Sequence, residues 1–270
     1  AKNFGIDLPT SQDASSAFGK LVDILAKENQ VVILIDEYDK PILDNISSPD
    51  ISDIQRCLKG FYSVLKDRNA KERFVFITGV SKFSHVSLFS DLNNLTDITM
   101  DARFATMFGY TEEELSQYFD EHLRDHAEKM GRPYEDYRAQ LKKWYNGFRF
   151  ARNVPTTVYN PISVAYTLFR KEPGFTATWS STGRPSMLMN YLKREDVLRI
   201  DLEKTRGVTD AEFDVAELRD LRPIAMLFQS GYLTIRDYSP LTGLYTLGVP
   251  DEEIRRDLSV LMTGVSANRS

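Results

Sequence analysis

The first part of the chain pairs an amphipathic helix pattern with a short apolar run. Residues 13–28 place apolar side chains at helical spacing, and Asp13 stands where a capping residue is preferred. Val31–Ile35 then contains five apolar residues, four of them β-branched, without polar alternation. Such a run is typical of a strand that is buried on both faces of a parallel sheet, and we expect that environment here.

A second helix and a second strand follow in the same rhythm. Ile51–Asp67 presents one apolar helical face, and Phe74–Ile77 is another short apolar run. Asp97–Met100 is a candidate for a third strand. Because strand, helix and strand in succession form a βαβ unit, the first hundred residues predict an α/β fold with a parallel sheet.

The middle of the chain is predicted to be helical. Thr111 and Glu114 form a capping box at the start of a helix that runs toward Met130, and Tyr134–Tyr145 predicts another helix. Pro161 stands where a further helix can begin. Residues 124–152 contain eight basic and four acidic side chains, which is a local net charge of +4.

The last third combines a helix with two strand-like runs. Asp214–Gln229 predicts a helix, and Tyr232–Ile235 and Leu244–Leu247 predict strands. The residues between the two strands are rich in turn formers, so a β-hairpin with a long loop is expected. A helix followed by a hairpin is the minimum of a winged-helix unit.

Composition narrows the class of protein. The 270 residues carry 34 Lys and Arg against 39 Asp and Glu, and a net charge of −5 gives no general attraction to nucleic acid or anionic membranes. Cys57 is the single cysteine, which excludes an internal disulfide, and no apolar run is long enough for a membrane helix. We therefore expect a cytoplasmic protein. The start at Ala1, without an initiator methionine or a signal peptide, suggests a fragment or a processed chain.

Two carboxylates follow directly after the first predicted strand. An apolar strand followed by Asp36 and Glu37 has the form of a Walker B motif. In that motif the first acid holds Mg²⁺, usually through water, and the second polarises the attacking water. The alternative is a strand that ends at an ordinary polar turn, and five apolar residues followed by two acids do not by themselves decide between the two.

The second predicted strand also ends in polar residues. Thr78 is in position to act between the acid pair and a γ-phosphate, and Ser81 and Lys82 follow closely. The alternative is a glycine-containing strand exit. A P-loop would strengthen the ATPase interpretation, but Gly19–Lys20 lacks the earlier glycine and the following Ser or Thr. We expect Gly19 and Lys20 to be ordinary helix residues.

Two other patterns have simpler structural interpretations. His122 and His126 have the i, i+4 spacing of metal ligands, but no third ligand is evident and a solvated helix face is the expectation. Trp144–Phe150 interleaves aromatic residues with an arginine and could stack bases. We favour an aromatic cluster that closes a helix on its neighbour, with Asn146–Gly147 as a turn.

Several segments together resemble the bacterial AAA-ATPase-like family. The residues Ile33–Pro41 are similar to its LIDEYDKP motif, and the similarity recurs in order along most of the chain. The further matching segments are Phe76–Phe83, Leu88–Leu95, Phe108–Leu115, Trp144–Phe150, Tyr159–Pro161, Gln229–Ile235 and Thr242–Pro250. Members of this family are P-loop ATPases of the AAA+ or STAND type, usually fused to a PD-(D/E)XK nuclease-like domain.

The resemblance implies a fold and a division of the chain. It implies a partial P-loop NTPase core of AAA+ type in residues 1–108, an all-α lid in residues 109–172 and a winged-helix-like α+β module in residues 173–270. The family's P-loop and its nuclease-like domain are absent from these residues, so the chain resembles the middle of a longer protein. Hydrolysis by the 270 residues alone is not expected.

The resemblance also implies roles for the polar residues. Asp36 would be the Mg²⁺-side acid and Glu37 the catalytic base, while Thr78 or Ser81, with Lys82, would sense the γ-phosphate of ATP. The competing hypothesis is a non-catalytic module whose lid and winged helix bind protein or nucleic acid. Residues 201–270 carry eight basic and twelve acidic side chains, which disfavours DNA as the partner of that module.

Overall fold

A computed structural model of the protein describes residues 13–46, 48–80, 94–170, 173–178, 201–213 and 222–267. The chain forms two compact units. One contains residues 1–96 and 214–225, and the other contains residues 97–213 and 226–270. The division at residues 108 and 172 that the sequence indicates stays a prediction.

Two helices of the first unit confirm the helical patterns. α1 spans Ala14–Leu25 and α3 spans Ile51–Asp67. Asp13 caps α1 by accepting a hydrogen bond from the Ser16 amide at 3.0 Å. The rings of Phe18 and Phe61 stack at 4.5 Å and join the two helices.

Gly19 lies inside α1, as expected for an ordinary helix residue. The guanidinium of Arg68 donates to the Gly19 carbonyl at 3.0 Å and to the Asp23 carboxylate at 2.9 Å. A Cβ at position 19 would lie 2.6 Å from that guanidinium. The glycine therefore serves close packing between α1 and the end of α3.

The predicted βαβ unit is present in the first unit. β1 spans Val31–Ile35, β2 spans Glu72–Ile77, and the two strands pair in parallel with α3 between them in the chain. A short helix, α2, spans Lys40–Leu43 directly after β1. Because the strands are parallel, their carboxyl ends lie at the same edge of the sheet.

The expectation that β1 is buried on both faces is wrong for one face. Ile33 is 9% exposed, whereas Val32 is 58% and Leu34 is 70% exposed. Phe74, the partner of Val32 on β2, is 53% exposed. Side chains alternate between the faces of a strand, so one face of this sheet is packed and the other is open.

The expected strand at Asp97–Met100 is also not present. The Thr99 amide donates to the Asp97 carboxylate at 2.9 Å, and the Asp101 amide donates to the Ile98 carbonyl at 3.2 Å. These local bonds form turns, because an Asp side chain competes with the backbone partners that a strand would supply.

Three helices of the second unit confirm the helical reading of the middle of the chain. α4 spans Glu112–Lys129, α5 spans Tyr134–Tyr145 and α6 spans Pro161–Phe169. The capping box of Thr111 and Glu114 is formed in both directions. A shared core packs between the helices and consists of Leu115, Leu123, Ala127, Tyr137, Leu141, Trp144, Tyr145, Tyr159, Val164 and Leu168.

Asn146–Gly147 is part of a strand and not the predicted turn. β3 spans Asn146–Phe148 and pairs antiparallel with β4, Val158–Tyr159. Gly147 has φ +146°, and a Cβ on it would collide with the carbonyl oxygen of Pro250. The glycine is needed because two backbone segments meet there.

The end of the chain forms a three-stranded antiparallel sheet flanked by helices in sequence. β5 spans Thr205–Val208, α7 spans Pro223–Gln229, and α8 spans Glu252–Ala267. β6, Thr234–Ser239, and β7, Leu244–Gly248, confirm the predicted hairpin, and the strand order is β5-β7-β6. The loop is shorter than expected, because β6 continues to Ser239, which pairs with Leu244. Whether this arrangement is a winged helix stays a prediction.

No helix in the described ranges is both long and apolar enough to cross a lipid bilayer.

Candidate active site

The side chains of Asp36 and Thr78 meet at one edge of the parallel sheet. Asp36 follows the last residue of β1, and Thr78 follows the last residue of β2. The Thr78 hydroxyl donates to Asp36 Oδ1 at 2.5 Å. The same oxygen accepts a hydrogen bond from the Glu37 amide at 2.9 Å. These two bonds fix the direction of the Asp36 carboxylate at the edge where open α/β sheets bind ligands.

Glu37 has an unusual backbone conformation. Its φ is +52°, and among the described residues no other non-glycine residue has a positive φ. This conformation is uncommon for residues with a Cβ and costs about 1–3 kcal/mol. Backbone strain of this kind concentrates at functional sites, where the surrounding structure holds it in place.

The Glu37 carboxylate lies on the surface beside a lysine. Its side chain is 57% exposed, and its Oε2 lies 3.0 Å from Lys40 Nζ. The hydrogen bond with Glu37, and secondarily its charge, raise the pKa of Lys40. An exposed ion pair of this kind adds little stability and opens easily, so Glu37 remains accessible to a reactant.

Backbone hydrogen bonds continue between the two chain segments beyond the sheet. The Thr78 amide donates to the Ile35 carbonyl at 2.8 Å, and the Tyr38 amide donates to the Thr78 carbonyl at 3.0 Å. Thr78 is therefore held on both sides by the segment that carries the two acids.

Asp39 belongs to the same region, and the sequence analysis did not single it out. Asp39 is fully buried, whereas Asp36 and Glu37 are exposed. Its Oδ1 accepts a hydrogen bond from the Val80 amide at 3.2 Å. In the sequence Asp-Glu-Tyr-Asp, nothing distinguishes Asp39 from the exposed acids Asp36 and Glu37, and only the fold shows that Asp39 is buried.

The Asp36 carboxylate is a donor of the kind that Mg²⁺ takes together with phosphate ligands. Among the residues that the structure describes, no group of three or more His, Cys, Asp or Glu side chains is arranged to hold a metal ion. Mg²⁺ in nucleotide sites is usually bound by one or two carboxylates, substrate phosphates and water. An exposed, oriented carboxylate such as Asp36 is suited to that role.

The other side chains that the sequence singled out have different outcomes. Ser81 and Lys82 lie outside the described residues. The expectation of a solvated face holds for His122 but is wrong for His126, which is 3% exposed with Nε2 2.9 Å from the Leu168 carbonyl oxygen. Trp144 is buried in the helical core, as the aromatic-cluster interpretation requires.

Comparisons with known proteins give one curated relative and one family model. The chain is 37% identical over 255 residues to the "Uncharacterized protein in vnfD 5'region" of Azotobacter chroococcum mcd 1. The match covers 93% of this chain and 46% of the relative, so the chain spans about half the length of that protein. No solved structure is detectably similar. Residues 2–89, which contain β1, β2 and the Asp36–Thr78 pair, match the model of the predicted AAA-ATPase family.

Proposed function

We propose that the full-length protein hydrolyses ATP with Mg²⁺, and that Asp36, Glu37 and Thr78 belong to its active site. The observation that carries the proposal is the Thr78–Asp36 hydrogen bond at the shared edge of two parallel strands, with Glu37 next to it. The match of residues 2–89 to a family of predicted ATPases supports nucleotides as the ligand class.

Each residue of the proposed site has a distinct task. Asp36 would hold Mg²⁺ through water, with its carboxylate oriented by the Thr78 hydroxyl. When bound, Mg²⁺ neutralises charge on the phosphate oxygens. Glu37 would accept a proton from the attacking water or orient it, once its contact with Lys40 opens. Ser81 and Lys82 remain predicted contacts of the γ-phosphate.

The proposed enzyme needs a phosphate-binding loop in addition to these residues. Gly19–Lys20 does not supply it, because Gly19 lies inside α1 and packs on Arg68. We place that loop in a part of the protein outside these 270 residues. The greater length of the Azotobacter relative is consistent with that placement.

The test compares hydrolysis and binding in the full-length protein. Glu37→Gln keeps the shape of the side chain but removes its basicity, so kcat for Mg-ATP should fall by roughly 100-fold or more. Nucleotide affinity, measured by titration calorimetry, should stay within about threefold of wild type because a base acts on the chemical step. Glu28→Gln, an exposed position after α1, is the matched control and should leave both values unchanged.

Hydrolysis by Glu37→Gln at the wild-type rate would exclude Glu37 as the base. Asp36→Asn tests the metal-binding role of Asp36 separately from the role of Glu37 as base. This substitution should raise the Mg²⁺ concentration needed for half-maximal activity. If Asp36→Asn lowers kcat without that change, the assignment of Asp36 to the metal is wrong.

A second candidate function is partner binding through the C-terminal sheet, and one observation favours it. Leu241, at the tip of the β6–β7 hairpin, is 94% exposed. This apolar side chain lies outside the core of its own unit and is accessible to a protein surface. Leu241→Ser should then weaken capture of a protein partner without changing ATP hydrolysis, as measured by pull-down and by turnover.

A further inference from the structure

Asp39 is a buried carboxylate that the proposed chemistry does not use. It has no solvent exposure, although it stands only two residues from the exposed Glu37. Burying a carboxylate is costly unless hydrogen bonds compensate for the lost water. A buried acid next to a candidate active site therefore needs a structural explanation.

The Asp39 side chain extends the contact between the two strand ends. Beyond the sheet, the Thr78 amide binds the Ile35 carbonyl and the Tyr38 amide binds the Thr78 carbonyl. The bond from the Val80 amide to Asp39 Oδ1, at 3.2 Å, is the next in this series. A side chain thus supplies the acceptor at the point where the backbone of the first segment turns away into α2.

These contacts hold both ends of the short segment that displays the acids. Ile35 fixes one end through the sheet, and Tyr38 and Asp39 fix the other end. Between them lies Glu37 with its left-handed backbone, at φ +52°. A segment held at one end only would relax toward an ordinary conformation, because the strained one costs about 1–3 kcal/mol.

Gly79 lets the segment 78–80 pack closely against Tyr38 and Asp39. A Cβ at position 79 would lie 2.5 Å from two carbons of the Tyr38 ring and 2.6 Å from Asp39 Oδ1. Tyr38 and Asp39 therefore pack directly on the Gly79 backbone. The hydroxyl of the buried Tyr62 donates to the Tyr38 carbonyl at 3.2 Å and supports the same turn from α3.

We propose that Asp39 is a positioning residue, which holds the strained segment so that Asp36 and Glu37 face the reacting groups. The contact itself follows from the geometry above, whereas its effect on hydrolysis rests on the proposed function. Asp39 also starts α2, since its carbonyl accepts the amides of Ile42 and Leu43 at 2.9 Å. It thereby places Lys40 within reach of Glu37.

The test uses Asp39→Ala and Asp39→Asn in the full-length protein. Asn keeps the Oδ1 acceptor for the Val80 amide, and Ala removes it. For Asp39→Ala we expect kcat for Mg-ATP to fall roughly 10- to 100-fold, with KM within about threefold of wild type, because a small misplacement harms the chemical step most. Asp39→Asn should stay within about threefold of the wild-type kcat. Asp53→Ala, at an exposed acid of α3, is the matched control.

Amide hydrogen exchange, followed by mass spectrometry on peptides that contain Val80, provides an independent readout. Exchange should accelerate in Asp39→Ala and stay at the wild-type rate in Asp39→Asn and Asp53→Ala. If the wild-type protein does not hydrolyse ATP, the proposed function fails, and this readout alone decides whether Asp39 holds the Val80 segment.

Two results would overturn the proposal. One is a wild-type kcat in Asp39→Ala, and the other is equal loss of activity in the Ala and Asn variants while the Val80 peptide stays protected. Should Asp39→Ala fail to fold, Gly79→Ala disturbs the same contact, because its added methyl group displaces the Asp39 carboxylate together with the Tyr38 ring. The proposal then requires a lowered kcat in folded Gly79→Ala, and a wild-type value rejects it.

Discussion

At the scale of single residues, the three acids of the segment 36–39 differ in their exposure to solvent. Asp36 and Glu37 are exposed, while Asp39 is fully buried. The Tyr62 hydroxyl beside this acid is affected in turn, since burial and, to a lesser extent, the Asp39 charge raise the pKa of Tyr62 to about 12. The same residue type is thus solvent-facing at one position and packed in the interior at another.

Asp251 shows a second kind of buried acid, at the start of α8. It is 5% exposed, and its Oδ1 accepts a hydrogen bond from the Ile254 amide at 2.9 Å. Its Oδ2 is buried and has no hydrogen-bond partner among the described residues. Burial, more than the nearby Glu253 charge, raises the pKa of Asp251 to about 8, although the Ile254 and Glu253 amides and the Arg236 charge act in the opposite direction.

This pKa predicts how stability depends on pH. In the unfolded chain Asp251 ionises near pH 3.9, whereas in the folded protein it keeps its proton up to about pH 8. Between these values the folded state binds more protons, so the contribution of Asp251 to stability falls as pH rises from about 4 to about 8. Asp251→Asn cannot ionise and retains the acceptor for Ile254. It should therefore be as stable as wild type near pH 4 and more stable near pH 8, by up to about 5 kcal/mol.

Urea unfolding of both proteins between pH 4 and pH 9 measures this difference. Glu128→Gln, at an exposed position of α4, is the control and should follow the wild-type curve. A constant difference between Asp251→Asn and wild type over the whole range would show that Asp251 does not titrate abnormally.

At the scale of elements, β1 has one packed face and one open face. Ile33 is 9% exposed and its neighbour Leu34 is 70% exposed. The open face nevertheless carries Val32, Leu34 and Phe74, which are residues typical of a covered parallel sheet. The apolar run therefore predicts correctly that both faces of β1 carry apolar side chains. It does not predict that one of these faces is exposed.

A pair of truncations on β1 tests this difference within the 270-residue chain. Ile33→Ala removes packed methyl groups and should lower the free energy of unfolding by about 2–4 kcal/mol. Leu34→Ala removes a largely exposed side chain and should cost less than about 1 kcal/mol. Urea denaturation measures both values, and an equal loss in the two variants would mean that both faces are covered in solution.

At the scale of the whole molecule, charge is unevenly distributed along the chain. The net charge of −5 includes a segment of +4 at residues 124–152 and one of −4 at residues 201–270. Part of the basic segment is neutralised locally, since Arg138 and Lys142 both pair with Glu112 at 2.8 and 2.9 Å. A winged helix that reads DNA normally presents a basic face, and the net charge of −4 in residues 201–270 disfavours such a face.

We therefore expect no specific DNA binding through the C-terminal sheet. Fluorescence anisotropy with a labelled duplex at about 0.15 M salt should show at most the weak affinity of nonspecific contacts, about 10⁻⁴–10⁻⁶ M. Arg206→Ala, at an exposed position of β5, should leave that affinity unchanged. Submicromolar, salt-sensitive binding that Arg206→Ala weakens would show that the sheet contacts DNA.

The sequence by itself determined the main helices of this protein. Helical spacing and caps predicted α1, α3, α4 and α5, because these signals depend on neighbours within about four residues. It also identified Asp36, Glu37 and Thr78 as one candidate site, since parallel strands end at the same edge of a sheet. It was wrong at Asp97–Met100 and at Asn146–Gly147, where an Asp side chain and a close backbone contact decided the conformation.

Only the tertiary structure decided which side chains are buried and how the two strand ends are joined. Burial depends on partners far away in the chain, and hydrophobic pattern alone cannot distinguish Asp39 from Glu37 or Leu34 from Ile33. The bonds from Thr78 to Asp36 and from Val80 to Asp39 join residues about 40 positions apart. Their geometry exists only once β1 and β2 pair, because pairing is what brings those residues within hydrogen-bond distance.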